Sequence, residues 1–150
     1  MENLLWVIVI TLVPWIELRG SIPIGIASGL DPWIVLVTAV VFNILIFFPI
    51  FFCLKFLYRF LSRWGFFRKA VEKIRKKGEP YVKKYGVIGL GIFIGIPLPG
   101  SGVYSGTLLA WLIGMKWKKA FTAAVIGVLI AGSIIFAASM GVFSAIGLFF

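Results

Sequence analysis

Two charged residues, Glu17 and Arg19, stand inside the run Trp15-Ile-Glu17-Leu-Arg19-Gly20-Ser21-Ile-Pro23-Ile-Gly25, with apolar sequence on both sides, Leu4 to Val13 and Ile24 to Leu30. A charge near the bilayer midplane costs at least ~2.5–3.5 kcal/mol on insertion scales, so such groups are paired, hydrated or used. Gly20 and Pro23 disfavour a helix, and the backbone groups they free cannot be satisfied by lipid. The stretch is expected to form an irregular turn, buried in protein at membrane depth. In such a turn Glu17 and Arg19 can meet. Either they form a structural ion pair that holds the loop, or Arg19 receives a phosphate while Glu17 orients it or carries a proton.

A second constellation follows at Pro97-Leu-Pro99-Gly100-Ser101-Gly102, just before another apolar segment. A helix starting there would aim free N–H groups and its positive end at the membrane centre, which makes an anion site in principle. Ser101 and Ser105, with Ser21 from the first stretch, would add donors. The plainer role is that Gly and Pro shape a hairpin tip and Ser caps its arm.

Other chemistry finds no residues. The chain has no His, and Glu2, Glu17, Asp31, Glu72 and Glu79 are its only acids. Neither a metal-ligand spacing nor a His-based triad can be assembled. No catalytic residue, metal or cofactor is expected, and an enzyme is the least favoured class. Cys53 is alone, so no intrachain disulfide forms.

The elements that must position these residues are membrane helices. Of 150 residues 61% are hydrophobic and 13% charged, and the mean hydropathy is +1.09, far outside the range of soluble domains. The apolar runs are continuous, which excludes the alternating strands of a β-barrel. The net charge of +10 falls largely in one block between apolar runs. That pattern predicts an inner-leaflet anchor rather than nucleic-acid binding. Met1-Glu2-Asn3 lacks a basic n-region, so the first apolar run is expected to stay in the mature protein.

Residues 4–30 would make ~40 Å of helix, longer than a ~30 Å core needs, and are interrupted at 17–23, which leaves a tilted, kinked span or a re-entrant hairpin. Asp31-Pro32-Trp33 marks a helix start, and Trp33 to Leu54 reads as a clean span of ~33 Å. Asn43, near its middle, is expected to hydrogen-bond a neighbouring helix. From Lys55 to Lys84 the sequence is basic and amphipathic: Phe66, Phe67, Ala70, Val71 and Ile74 oppose Arg68, Lys69, Lys73, Lys76 and Lys77. This helix belongs in the headgroup plane and is expected to end at Gly78-Glu79-Pro80. Residues 85–115 are again apolar and broken, and Ala120 to Ser139 makes a last span before an apolar tail.

Flanking charges choose the topology. Lys83 and Lys84 precede the second broken region, and Lys116, Lys118 and Lys119 follow it. A re-entrant hairpin keeps both clusters inside, as the positive-inside rule prefers. The first broken region is flanked by acids and reads as a hairpin from the opposite face. Two hairpin-plus-span units of opposite orientation, 1–54 and 85–150, then form an inverted repeat, a transporter layout. Segment 55–84 is the cytoplasmic basic link between them, and the whole is one membrane domain. Gly25-x-x-x-Gly29, Gly91-x-x-x-Gly95 and Gly102-x-x-x-Gly106 predict close packing of the arms. Two full spans enclose little, so a homodimer through the arms is expected.

Glu17-Leu-Arg-Gly-Ser-Ile-Pro-Ile-Gly25 and Ile96-Pro-Leu-Pro-Gly-Ser-Gly-Val-Tyr-Ser-Gly-Thr-Leu-Leu-Ala110 resemble the motifs of the small multidrug export protein family, which looks like a compact relative of the DedA superfamily. The layout matches over essentially the whole chain. The resemblance implies two opposed re-entrant hairpins and transport, with lipids such as polyprenyl-phosphate carriers or phospholipids as the substrates of DedA relatives. The second loop here carries no charge, unlike many of those relatives, which argues against a two-acid proton relay.

The sequence therefore predicts an all-α, multi-pass cell-membrane protein with membrane lipids as partners. Its expected function is translocation of an anionic lipid or lipid-phosphate. The alternatives are proton-linked export of small amphiphiles through Glu17, or a non-transporting membrane-shaping or assembly role for residues 55–84. The expected substrate-binding set is Glu17, Arg19, Gly20, Ser21, Pro23, Pro97, Pro99, Gly100, Ser101, Gly102, Tyr104 and Ser105.

Overall fold

The computed structural model describes residues 2–97 and 101–147, and among these every regular element is a helix. In chain order they are α1 (Glu2–Leu12), α2 (Glu17–Ala27), α3 (Pro32–Leu45), α4 (Phe47–Leu61), α5 (Gly65–Lys84), α6 (Gly86–Gly95), α7 (Val103–Leu112) and α8 (Trp117–Gly147). Helices α1, α2, α6 and α7 have 11, 11, 10 and 10 residues, ~15–17 Å each, about half a bilayer core. Two stretches are long and apolar enough to cross a membrane, Pro32–Leu61 and Trp117–Ala145.

The first break falls earlier than the sequence predicts. Helix α1 stops at Leu12, ahead of Pro14, and the turn is made by residues 13–16 with Trp15 at φ 81° and Glu17 at φ 49°. Gly20 and Pro23, expected to break the helix, lie inside α2 instead. Gly20 is tolerated because Ile16 occupies the space its Cβ would take. Pro23 gives up one intrahelical bond near the middle of a short helix. The second break is where it was expected: Ile96 is extended, α7 starts after Gly102, and Pro97 lies between them. Pro99 and Gly100 lie outside the described residues.

The remaining boundaries also shift. The span expected over 33–54 is two helices, with a joint at Ile46 and an extension to Leu61. Pro49 accounts for the joint, since its ring crowds the carbonyl four residues back, that of Leu45. Asp31 caps α3 as its sequence suggests, accepting from Trp33 N at 2.9 Å and Ile34 N at 3.1 Å. Helix α5 does not stop at Gly78-Glu79-Pro80 but runs to Lys84 and ends where Gly86 adopts φ 48°. The last helix extends on both sides of 120–139.

Packing is crosswise. Helices α1 and α2 pack on each other and on α3, while α6 and α7 pack on α8, α6 most extensively. In addition α2 reaches α8 and α7 reaches α4, so each hairpin's second arm touches the other half's long helix. Val35, Ala39 and Asn43 of α3 are buried with Phe47 and with Ala120, Ala123, Ala124, Val128 and Ala131 of α8; Val35 fills the space left by Gly25 on α2, and Val40 lies at Gly132 of α8. Ile94 fills the space left by Gly106 on α7 and Gly127 on α8. Asn43 is fully buried, but neither side-chain atom has a hydrogen-bond partner, contrary to the bond expected of it. On α5 the stripe Phe67, Val71 and Arg75 faces the bundle. The Arg75 guanidinium lies 5.1 Å from the Tyr58 ring and 5.2 Å from the Trp111 ring, so it ties α5 to the ends of α4 and α7 by cation–π attraction.

Candidate functional site

The two hairpin tips meet through the residues that the sequence singles out. Glu17, the first residue of α2, is 5% exposed, and its carboxylate reaches the start of α7. Oε2 accepts from Val103 N at 3.3 Å and Oε1 from Tyr104 N at 3.3 Å. These are two of the four N–H groups that a helix start leaves without an internal partner. The anion position at the head of α7 is therefore filled by the chain's own carboxylate. A Cβ at Gly102 would overlap both carboxylate oxygens, so only glycine lets Glu17 seat there.

Arg19, two residues on, reaches the break between α6 and α7. Its Nη2 donates to Ile96 O at 3.1 Å, to Ser101 Oγ at 3.1 Å and to Ser101 O. Ser101 Oγ in turn donates to Ile96 O at 2.5 Å. Carbonyls that the broken helix leaves unpaired are thus covered by a guanidinium, as lipid could not cover them. The second hairpin returns one contact: Tyr104 OH donates to Leu12 O at 2.5 Å, covering a carbonyl at the end of α1. Ser105 Oγ accepts from Gly102 N at 3.0 Å and closes the first turn of α7.

Beside this junction lies a cavity of ≈ 410 Å³, lined by Trp15, Glu17, Arg19, Gly102, Tyr104 and Ser105 together with Ile50, Leu54 and Leu108. Its size falls in the range of small-molecule sites, and its walls are mainly apolar with a few convergent polar groups. Trp15, 88% exposed, stands at the rim.

The structure thus gathers Glu17, Arg19, Ser101, Gly102, Tyr104 and Ser105. Of these, Ser101 belongs to the junction but does not line the cavity, and the other described candidates lie outside both. Ser21 is fully buried and shares a 2.7 Å hydrogen bond with Thr11, which also donates to Val7 O at 2.7 Å, so it ties α2 to α1. Gly20 packs on Ile16, Pro23 lies further along α2, and Pro97 is exposed in the break. Sequence reasoning missed the apolar wall and the rim. Ile50 and Leu54 lie in an unbroken apolar run, and only the joint at Pro49 distinguishes their segment. The Val103 amide was implied by the helix start but not matched to Glu17.

Fold and site together define a helical membrane protein in which two short hairpins join around the buried Glu17 carboxylate and the half-buried Arg19 guanidinium. The family model described as Putative small multi-drug export protein matches residues 17–134, from Glu17 itself to the middle of α8, and the chain belongs to that family. No curated protein and no solved structure matches the chain.

Proposed function

We propose that this protein is a membrane transporter that exports small amphiphilic compounds and links their movement to a proton on Glu17. The family name supports export, and one observation carries the rest: a carboxylate seated on two helix-start amides borders an apolar, ligand-sized cavity. An ionised carboxylate is acceptor-only and satisfies both amides, whereas a protonated one must place its O–H as a donor. Protonation therefore loosens the tip-to-tip contact, and loss of the proton reseats it. Substrate held against Ile50, Leu54 and Leu108 would experience these two states of the wall.

The alternating-access frame we infer is the inverted repeat of opposed re-entrant hairpins, with α5 on the cytoplasmic side. The short arms, the crosswise packing of α2 on α8 and α7 on α4, and the distribution of lysines support it. Two crossing stretches enclose little, so the working unit is taken as a homodimer in the cell membrane. An enzyme is not proposed, because the chain has no His to activate Ser21, Ser101 or Ser105.

A second reading, translocation of an anionic lipid or lipid-phosphate as in DedA relatives, is favoured by Arg19 lining the same cavity. It requires Arg19 to exchange Ile96 and Ser101 for a phosphate. Proteoliposomes with an imposed pH gradient separate the two. Gradient-driven movement of an amphiphilic dye, abolished in Glu17→Gln and kept in Arg19→Lys, supports export. Movement of a labelled lipid-phosphate, lost in Arg19→Lys, supports the second reading. Movement of neither would remove transport altogether. Single cysteines at positions 31, 79 and 117, after removal of Cys53, should label outside, inside and inside. Labelling of 79 and 117 from opposite faces would overturn the hairpin topology.

A further inference from the structure

We propose that the end of α4 carries a discrete site for one anionic phospholipid, with Arg59 and Arg63 holding its phosphate and Phe56 and Phe60 lying against its acyl chains. These four residues line a surface hollow of ≈ 200 Å³. Phe56 and Phe60 are one turn apart on α4, Arg59 lies in its last turn and Arg63 follows two residues past its end, so two guanidinium forks and two rings border one hollow. Both rings are largely exposed. Each fork presents paired N–H donors that match phosphate oxygens, and two together hold a phosphate from more than one side.

Depth puts the hollow at the right level. At 1.5 Å per residue, the stretch starting at Pro32 passes ~30 Å of hydrocarbon by about residue 52. Phe56 and Phe60 then sit at the acyl boundary and the arginines among headgroups. Three acids are engaged elsewhere: Glu17 on the start of α7, Asp31 as the cap of α3 at the far end, and Glu72 3.6 Å from Arg68 on α5. Free inorganic phosphate would use the forks but not the rings, and the exposed rings commit the site to a lipid. The plainer role for Arg59 is to complement the negative end of α4, which needs one cation and gives no part to Arg63 or to the rings.

This site differs from the diffuse attraction of α5, whose outward basic residues work by summed charge. It also stands apart from the Glu17 cavity, so it is tested without assuming transport. Native mass spectrometry of the detergent-solubilised full chain, titrated with phosphatidylglycerol, counts bound lipids and gives their affinity. The expected result is one saturable phosphatidylglycerol per chain, bound more tightly than phosphatidylcholine and not displaced by inorganic phosphate. The double variant Arg59→Gln with Arg63→Gln should weaken it by about tenfold or more. Arg59→Lys with Arg63→Lys, which keeps the charge, should also lose most of it, while Arg68→Gln with Lys69→Gln keeps it. Wild-type binding by the lysine pair would show that charge alone suffices and would overturn the site. So would equal binding of phosphatidylcholine, displacement by inorganic phosphate, or loss in the α5 control.

Discussion

The two hairpins meet at one junction but bring different things to it. The first supplies charged side chains, Glu17 and Arg19 on the first turn of α2. The second supplies mainly backbone: the Val103 and Tyr104 amides, the Ile96 and Ser101 carbonyls, and a place at Gly102 with no side chain. Its side chains add two hydroxyls, that of Tyr104 donating to Leu12 O and that of Ser101 accepting from Arg19. A broken helix inside a membrane exposes both donors and acceptors, and the cheapest cover is one anion for the donors and one cation for the acceptors. Two side chains spaced two apart on the opposite hairpin provide that. Under the proposed proton linkage, the titrating group would belong to one hairpin and its seat to the other.

Removing the carboxylate should have the largest effect. Glu17→Ala strips one buried and one part-buried amide of their acceptor and leaves Arg19 without its nearby counter-charge. Each unsatisfied group costs ~1–3 kcal/mol, so a thermal unfolding midpoint in detergent should fall clearly and transport should be lost. Changing the receptor comes next. Gly102→Ala places a methyl where the carboxylate sits, and because Glu17 is the flexible end of a side chain, it moves aside rather than the backbone. Stability should drop by about 1–3 kcal/mol, the overpacking range, while gradient-driven transport disappears. That split between a tolerable fold and an absent function would sharpen the comparison. If Gly102→Ala transports normally, the seat is not required.

The cation should matter less to function than the anion. Arg19→Lys keeps a charge near Ile96 and Ser101 but loses the fork, for an expected cost of ~1 kcal/mol and retained dye export. The reverse order of Arg19→Lys and Glu17→Gln in transport assays would make the first hairpin a phosphate clamp. Smallest is Tyr104→Phe, which removes only the bond to Leu12 O. A loss of ~0.5–1.5 kcal/mol in unfolding free energy with near-normal transport is expected.

The same asymmetry explains what the sequence could disclose. Glu17 and Arg19 are legible because charges are rare in apolar runs, and the second break is legible because Pro and Gly crowd it. Their partners are peptide groups, which every residue has, so nothing in the letters says that Glu17 faces Val103 and Tyr104. The first break was misplaced for a related reason. Gly20 and Pro23 usually end a helix, yet Ile16 and the packing of α2 on α1, α3 and α8 hold them inside one. The turn falls instead on Trp15, whose left-handed backbone no composition rule anticipates. The outlines of the long helices were legible from hydropathy and the joint at Ile46 follows from Pro49, but no sequence rule anticipates the passage of α5 through Pro80.

The most direct measurement of the seat of Glu17 on the second hairpin is a double-mutant cycle. Unfolding free energy and gradient-driven dye efflux are measured on wild type, Glu17→Gln, Gly102→Ala and the combination. If the carboxylate occupies the place that Gly102 leaves open, both single changes remove one shared interaction. The double variant should then be no worse than the poorer single one, with a coupling energy of about 0.5–3 kcal/mol. Effects that add within about 0.5 kcal/mol would place the two residues in independent roles and contradict the account.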